Sequence, residues 1–213
     1  MPDWVEWHAA YDDPESFLSQ RRIAVTKCVV SALEHAPSGR IDLLSLCAGE
    51  GRDVIDAATD HSRAADLHGC LVELHPDIAP RARANAEASG LDLTVREADA
   101  SDPAVFVDRL PVDVLLLAGI FGNISDEDIR ATVVAAPAMC RAGATVIWTR
   151  GRWEPDITPR IRTWFDEAGC ESLAFLSPGP GHWSIGVERV TAAAPADTLP
   201  PRLFTFVERA DRR

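Results

Sequence analysis

Two glycines follow an apolar run early in the chain, in an arrangement that can hold a ligand against the main chain. Residues 43–46 are apolar or small, Gly49 and Gly51 come next, and helix-forming sequence follows. Glycine adopts backbone angles that are closed to other residues, and without a side chain it lets a ligand approach the backbone closely. A helix that begins near Gly51 would also direct free amide groups toward that ligand. The sequence therefore predicts a ligand cradle after the first strand.

Two acids end the next two apolar runs. Glu73 follows Gly51 by about 20 residues, the spacing at which nucleoside-binding folds place an acid on the ribose hydroxyls. Asp99 ends the third run, where it is suited to accept a hydrogen bond from an exocyclic amine. A fourth apolar run opens into a glycine-containing loop at residues 119–123. We expect all four strand ends at one ligand-binding edge, as in open parallel sheets.

Apolar runs alternate with helical segments from Ile41 to Cys170, which is typical of βαβ units and a largely parallel sheet. The remaining runs indicate further strands, of which the last is an added edge strand or a packed tail. We predict helices over residues 14–35, 53–60, 76–89, 102–109, 125–139 and 157–168. We predict strands over residues 43–46, 69–73, 91–99, 112–118, 144–149, 171–176, 182–190 and 203–207.

The glycine loop and the two strand-end acids resemble those of class I S-adenosylmethionine-dependent methyltransferases, over roughly residues 41–190. The resemblance implies an α/β, Rossmann-like, mostly parallel seven-stranded sheet flanked by helices, with an antiparallel C-terminal hairpin and an N-terminal helical extension. It implies S-adenosylmethionine as cofactor, with Glu73 on the ribose and Asp99 on the adenine amine. The implied cofactor-binding residues are Cys47, Ala48, Gly49, Glu50, Gly51, Asp53, Glu73, Leu74, Asp99, Ala100, Ala118 and Gly119.

One position departs from that family. Its usual acid at the start of the glycine loop is Cys47 here, so Glu50 or Asp53 would have to do the polar work near the methionine amine. The missing acid favours a second interpretation, a methyltransferase-fold module that binds without turnover. A third is an NAD(P)-dependent Rossmann oxidoreductase, but its third glycine would fall at Val54, a branched residue that hinders close helix–strand packing.

Composition indicates one compact domain, since the chain has 213 residues with 46% hydrophobic content. We expect residues 1–40 to form an N-terminal helical segment or lid, residues 41–190 the core, and residues 191–213 a linker with the C-terminal edge strand or tail. No apolar run approaches the length of a membrane span, and the N-terminus does not resemble a signal peptide, so we expect a cytoplasmic protein. We expect it to be a monomer or a homodimer. The aromatic residues among the first eleven either pack the terminus onto the domain or cover the substrate cleft.

Charge and cysteine spacing limit the partners. The chain has 21 Lys plus Arg against 33 Asp plus Glu, a net charge of −12, which argues against nucleic acid. Arg150 and Arg152 suit a single carboxylate or phosphate instead, and the alternative is that they pair with Glu154 or Asp156 nearby. The five cysteines include no CxxC pair and no Cys/His metal spacing, so we expect reduced thiols and no metal site.

The resemblance implies methyl transfer to an O or N atom of a small acidic or aromatic acceptor. Such a displacement needs alignment, exclusion of water and, for some acceptors, a general base. His182 is the first candidate base and Tyr11 the second, while Asn123 is a candidate for orienting the acceptor. The pattern favours an ordinary loop histidine for His182 over a catalytic one, and it favours a turn residue for Asn123. The candidate substrate-binding residues are Trp7, His8, Phe121, Arg150, Arg152 and Trp183.

Overall fold

The computed structural model describes Asp13 and residues 15–207 of the chain. Its centre is a seven-stranded sheet in the order β3-β2-β1-β4-β5-β7-β6. Strands β1 to β5 are parallel, and β7 runs antiparallel between β5 and β6. The strands are β1 (Ile41–Leu46), β2 (Leu67–Glu73), β3 (Leu93–Glu97), β4 (Val112–Leu117), β5 (Cys140–Gly151), β6 (Cys170–Leu176) and β7 (Trp183–Val190). The predicted fold class is confirmed.

Five α-helices flank the sheet in the described part of the chain: α1 (Phe17–His35), α2 (Arg52–Ala58), α3 (Ala79–Ser89), α4 (Asp126–Met139) and α5 (Thr158–Glu167). Side-chain caps fix two of their starts. The Ser16 hydroxyl accepts from the Ser19 amide at 3.0 Å, and the Ser125 hydroxyl accepts from the Asp128 amide at 3.1 Å. Gly90 ends α3 in the left-handed conformation. None of these helices is long and apolar enough to cross a membrane.

The sheet is buried on both faces, so its central strands are apolar on both sides. On one face, α1 and α2 cover alternate residues of β1 and β4 such as Leu43 and Val114. On the other face, α4 and α5 cover the intervening residues, such as Leu44 and Leu115. The chain leaves β1 toward β2 on one side and returns to β4 on the other. The loops after β1 and β4 therefore flank the switch point of the sheet, where open α/β sheets bind ligands.

The predicted helix over residues 102–109 is wrong. The segment forms two short 3-10 turns, Pro103–Val105 and Val107–Arg109. Asp102 caps the first turn through the Ala104 amide, and the Arg96 guanidinium donates to the Val105 carbonyl and pairs with Asp108. The Arg96 bond occupies the Val105 carbonyl, which a continuous helix would pair with the Arg109 amide, whereas the Asp102 cap is compatible with the start of any helix. The other helices begin and end within three residues of the predicted bounds.

Residues 191–207 form a tail that packs along α4 on the same face of the sheet. The Ala194 amide donates to the Pro137 carbonyl at 3.0 Å, and the Thr132 hydroxyl donates to the Leu203 carbonyl at 3.2 Å. Leu203 and Phe204 are buried, and Phe206 forms one isolated antiparallel bridge with Ile124. Of the two forms considered for residues 203–207, the structure has the packed tail.

Candidate functional site

The loop after β1 turns through three left-handed residues. Cys47, Gly49 and Gly51 have φ angles of 56°, 58° and 75°. At Gly51 an added Cβ would lie 2.8 Å from Leu71 Cδ1 and 3.3 Å from Ile55 Cδ1, so the position admits little more than glycine. Cys47, unlike glycine, carries a Cβ atom, so its left-handed conformation costs about 1–2 kcal/mol. Backbone strain of this kind concentrates at functional sites.

Glu73 ends β2 and fastens this loop. Its Oε2 accepts a hydrogen bond from the Gly49 amide at 2.8 Å, and its Oε1 accepts one from the His75 amide at 2.9 Å. Both contacts leave acceptor capacity on the carboxylate, which has about four lone-pair positions. Glu73 is half-buried, whereas Leu74 beside it is 58% exposed. The acid is thus held rigidly at the sheet edge and still reachable by a ligand.

Cys47 brings the two strand-end acids into one site. Burial raises the pKa of its thiol well above the usual range, and the nearby negative charges of Glu73 and Asp99 raise it further. The thiol is therefore neutral and lies within electrostatic reach of both carboxylates. The three features predicted from separate stretches of sequence, the glycine loop and the two acids, occupy one end of the sheet.

Asp99 follows β3 and makes three hydrogen bonds. Its Oδ1 accepts from the Ser101 amide at 2.9 Å and the Ser101 hydroxyl at 2.7 Å, and its Oδ2 accepts from Arg202 at 3.1 Å. Partial burial acts to raise the pKa of Asp99, but the bonds from Ser101 and Arg202 outweigh it and hold the pKa below its usual value. Asp99 is an ionised acceptor, and Ala100 next to it is buried.

Glu50 and Asp53, the two candidates to replace the acid missing at Cys47, have different surroundings. Glu50 is buried and pairs with Arg52 at 2.7 Å and Arg81 at 3.3 Å, so its carboxylate is committed to these arginines. Asp53 lies in the first turn of α2. Burial raises its pKa to about 6, against the opposing charges of Arg21 and Arg22 on α1. Among the described residues, the Asp53 carboxylate has fewer partners than that of Glu50.

The loop after β4 is tied to β5 and to itself. The Gly119 amide, at a residue with φ of 76°, donates to the Thr149 hydroxyl at 2.8 Å. The Asn123 side-chain amide donates to the Gly119 carbonyl at 2.6 Å, which is the behaviour of a turn residue. Phe121 is fully buried, with its ring centroid 5.9 Å from that of Trp148. This burial argues for a packing role for Phe121, while Ala118 and Gly119 remain partly exposed.

The two arginines at the end of β5, Arg150 within the strand and Arg152 just after it, have protein partners. Arg150 donates to the Phe121 carbonyl at 2.6 Å, which joins the end of β5 to the β4 loop. Arg152 donates to Asp156 at 2.9 Å, the local ion pair that the sequence offered as the alternative to anion binding. Its guanidinium also lies 5.9 Å from the centre of the Phe175 ring. Both arginines therefore help to shape the edge of β5.

An aromatic cluster lies beside these arginines. The exposed His182 stacks on Phe17 with centroids 6.0 Å apart, and Phe17 lies 5.7 Å from the exposed Trp153. Trp183 follows, and its indole Nε1 is buried without a hydrogen-bond partner in the described part of the chain. A buried N–H without a partner costs free energy that a bound acceptor group would recover. Trp7, His8 and Tyr11, also predicted here, lie outside the described residues.

Three contributors to this edge were not predicted. Ser101 was accessible to sequence reasoning, since Asp-x-Ser is a turn in which a carboxylate accepts the amide two residues on. Phe17 and Arg202 carried no such signal. Arg202 reaches Asp99 from 103 positions away in the chain. Within residues 13 and 15–207, no three His, Cys, Asp or Glu side chains cluster closely enough to hold a metal ion.

Comparison with known proteins identifies the fold. No protein-family model matches the chain, and no curated protein does. An O-methyltransferase family protein from Burkholderia thailandensis is similar in structure, with a TM-score of 0.65, 16% identity, and coverage of 83% of this chain and 57% of that one. An O-methyltransferase family 2 protein from Planctomyces limnophilus, in complex with apigenin, has a TM-score of 0.61 and 16% identity, with coverage of 81% of this chain and 59% of that one.

A third similar structure is the magnesium protoporphyrin IX methyltransferase of Synechocystis with bound S-adenosylmethionine. Its TM-score is 0.65 at 14% identity, with coverage of 88% of this chain and 91% of that one. The chain spans less than two thirds of the length of the two O-methyltransferases, whereas it matches nearly the whole of the third. At these identities the likeness concerns the fold. The chain has the Rossmann-like fold of the class I S-adenosylmethionine-dependent methyltransferases.

Proposed function

We propose that the protein binds S-adenosylmethionine and transfers its methyl group to an O or N atom of a small molecule. The observation that carries the proposal is the contact between Glu73 and the Gly49 amide, since it joins a strand-end acid to the glycine loop at the switch point of the sheet. Similar solved structures support it, because one holds S-adenosylmethionine and others are described as O-methyltransferases.

The residues present fit this cofactor. The left-handed loop at Gly49 and Gly51 gives close access to the main chain, as a nucleoside-linked amino acid requires. Glu73 would hold the ribose hydroxyls through its remaining acceptor positions, and the ionised Asp99 would accept from the adenine amine. Leu74 and Ala100 would flank the base. Ala118, Gly119 and Asp53 would adjoin the methionine end, Asp53 in place of the acid absent at Cys47.

The bound cofactor would supply an electrophilic methyl group on sulfur. The protein would then contribute alignment and exclusion of water, which are the main requirements of an in-line displacement. The Thr149 bond to Gly119 and the Arg150 bond to Phe121 rigidify the loop after β4, at the place proposed for the reaction. His182 remains the proposed general base for acceptors that must lose a proton, with Tyr11 as second candidate.

A small aromatic acceptor suits the residues beside the loop. The cluster of Phe17, Trp153 and His182 offers ring faces for stacking, and the buried Trp183 N–H has no acceptor among the described residues. Arg150 and Arg152 add positive charge for an acidic substituent. Apigenin and magnesium protoporphyrin IX, named with two of the similar proteins, are small and planar, which supports this class. The net charge of −12 argues against a nucleic-acid acceptor.

Calorimetric titration with S-adenosylhomocysteine tests the proposal. We expect micromolar binding by the wild-type chain and a loss of about ten-fold or more in Glu73→Gln, because hydrogen bonds to charged groups contribute about 1.5–3 kcal/mol. Glu97→Gln is the matched control, since Glu97 is paired with Glu73 across β3 and β2 but is exposed and bonded to Arg83. Binding of NADH in place of S-adenosylhomocysteine would support an oxidoreductase and contradict the proposal.

A further inference from the structure

Residues 199–207, the last part of the tail, contact both loops of the candidate cofactor site. Its Leu203 amide donates to the Ser101 carbonyl at 2.8 Å, in the loop that carries Asp99. Its Val207 amide donates to the Asn123 carbonyl at 2.9 Å, in the loop after β4. The tail therefore connects the loop proposed to bind the adenine of the cofactor with the loop proposed to line the reaction centre.

This path of the tail is firmly fixed. Leu203 and Phe204 are each only 1% exposed, and the Thr132 hydroxyl donates to the Leu203 carbonyl from α4. The Thr205 amide donates to the Asp128 carboxylate at 3.0 Å. The Leu203 amide, next in the chain to Arg202, also donates to the Ser101 carbonyl. The backbone of the tail is consequently able to hold the Arg202 side chain at a defined position beside the loop that carries Asp99 and Ser101.

Arg202 is the side chain held there. Its Nη1 donates to Asp99 Oδ2 at 3.1 Å and to the Ser101 hydroxyl at 2.5 Å. With the two bonds from Ser101 to Oδ1, three of the roughly four acceptor positions of the Asp99 carboxylate are occupied by described residues. One position remains on Oδ2, in a carboxylate that cannot rotate without breaking these bonds.

We propose that Arg202 is a positioning residue of the cofactor site, which holds the Asp99 carboxylate as a fixed acceptor for the exocyclic amine of the bound base. The inference rests on the function proposed above. Arg202 does not bear on the transferred methyl group. It reduces the loss of hydration that Asp99 suffers when a base covers it, because the carboxylate keeps a charged partner in the complex.

Calorimetry with S-adenosylhomocysteine tests the inference on the full chain. We expect Arg202→Ala to weaken binding roughly three- to five-fold, the range of an exposed ion pair. Arg189→Ala is the matched control, because Arg189 is similarly exposed and pairs with Glu171 at 2.7 Å far along the sheet in β7. We expect that control to bind as the wild type does.

A double variant separates positioning from general stability. In an Asp99→Asn background, which retains one acceptor oxygen, Arg202→Ala should weaken binding no further. If Arg202 had a purely structural role, Arg202→Ala would weaken binding in this background by the same factor as in the wild-type chain. The inference is overturned if the single Arg202→Ala variant binds as tightly as the wild type or more tightly. It is also overturned if Arg202→Ala weakens binding as much in the Asp99→Asn background as in the wild-type chain. Failure of the wild-type chain to bind S-adenosylhomocysteine would instead overturn the proposed function, so the two failures are distinguishable.

Discussion

The Glu73 carboxylate accepts a hydrogen bond from the Gly49 amide at 2.8 Å, and this contact joins β2 to the loop after β1. Neither residue alone distinguishes a ligand site from an ordinary strand end. Together they fix a left-handed loop against a half-buried acid at the switch point of a parallel sheet. Variants of this loop can therefore separate its contribution to binding from its contribution to stability.

Gly51→Ala should cost both stability and cofactor affinity. The φ of 75° and the contact with Leu71 require strain of about 1–2 kcal/mol in the variant. Gly90→Ala provides the control, because Gly90 has a φ of 70° with nothing within 4 Å of an added Cβ. Urea unfolding should register a loss in both variants, while titration with S-adenosylhomocysteine should register one in Gly51→Ala alone. Equal losses of affinity would contradict a role of this loop in binding.

The ionisation of Glu188 should make the protein less stable in mild alkali than in mild acid. It is 1% exposed, and burial raises its pKa to about 7 against hydrogen bonds from Trp148 and Ser172 and the charge of Arg162. Its ordinary pKa of 4.5 applies in the unfolded chain, so ionisation penalises the folded state increasingly between about pH 4.5 and 7 and fully above pH 7.

Glu188→Gln should therefore raise the free energy of unfolding relative to wild type at pH 8, by on the order of 2 kcal/mol, and by much less at pH 5. Chemical denaturation at the two pH values measures the difference. The exposed Glu171 on β6 gives the control variant Glu171→Gln, which should change stability equally at both. A Glu188→Gln effect independent of pH would refute the assignment.

Arg63 should anchor the end of α1. Its guanidinium donates to the carbonyls of Leu33, Ala36, Pro37 and Gly39 at 2.7–3.2 Å and pairs with Asp66. Arg63→Ala would remove the donor from two part-buried carbonyls, those of Leu33 and Ala36, and leave the two exposed ones to water, so we expect a loss of about 2 kcal/mol. Arg40→Ala removes an exposed arginine nearby and should cost less than about 1 kcal/mol. Thermal unfolding of both variants decides the point, since similar melting temperatures would rule out an anchor.

Cys47 should be the cysteine that alkylating reagents reach in the folded protein. The other four, Cys28, Cys70, Cys140 and Cys170, are buried. Because burial and the neighbouring acids raise the pKa of Cys47, labelling with iodoacetamide should be slow at pH 8 and faster at higher pH. S-adenosylhomocysteine should protect the thiol, and Cys47→Ser should remain unlabelled. Intact-mass analysis provides the readout, and rapid labelling unaffected by the ligand would argue against the site.

The sequence-based predictions succeeded where signals were local. Strand ends at Glu73 and near Asp99 follow from apolar runs that stop at an acid, and the fold class follows from their alternation with helices. The predicted helix over residues 102–109 fails partly because the Arg96 side chain binds the Val105 carbonyl, which a helix would use in its own hydrogen bonds. The contact of Arg202 with Asp99 depends on the path of the tail along α4, which no local pattern specifies.

The site was predicted less completely on its substrate side. The Arg152 pair with Asp156 was foreseen as an alternative, but the stacking of Phe17 on His182 required the position of α1 on the sheet. The commitment of Glu50 to Arg52 and Arg81 likewise depends on α3. Contacts between elements distant in sequence are where pattern and propensity carry least information.

A crystal structure of the protein grown with S-adenosylhomocysteine would show whether the loop after β1 and the two strand-end acids hold the cofactor. We expect the ligand across the loop after β1, with its ribose hydroxyls on the Glu73 carboxylate and its adenine amine on Asp99 Oδ2, while Arg202 keeps its bond to Asp99. A ligand bound elsewhere, or a site that stays empty at saturating S-adenosylhomocysteine, would contradict this assignment.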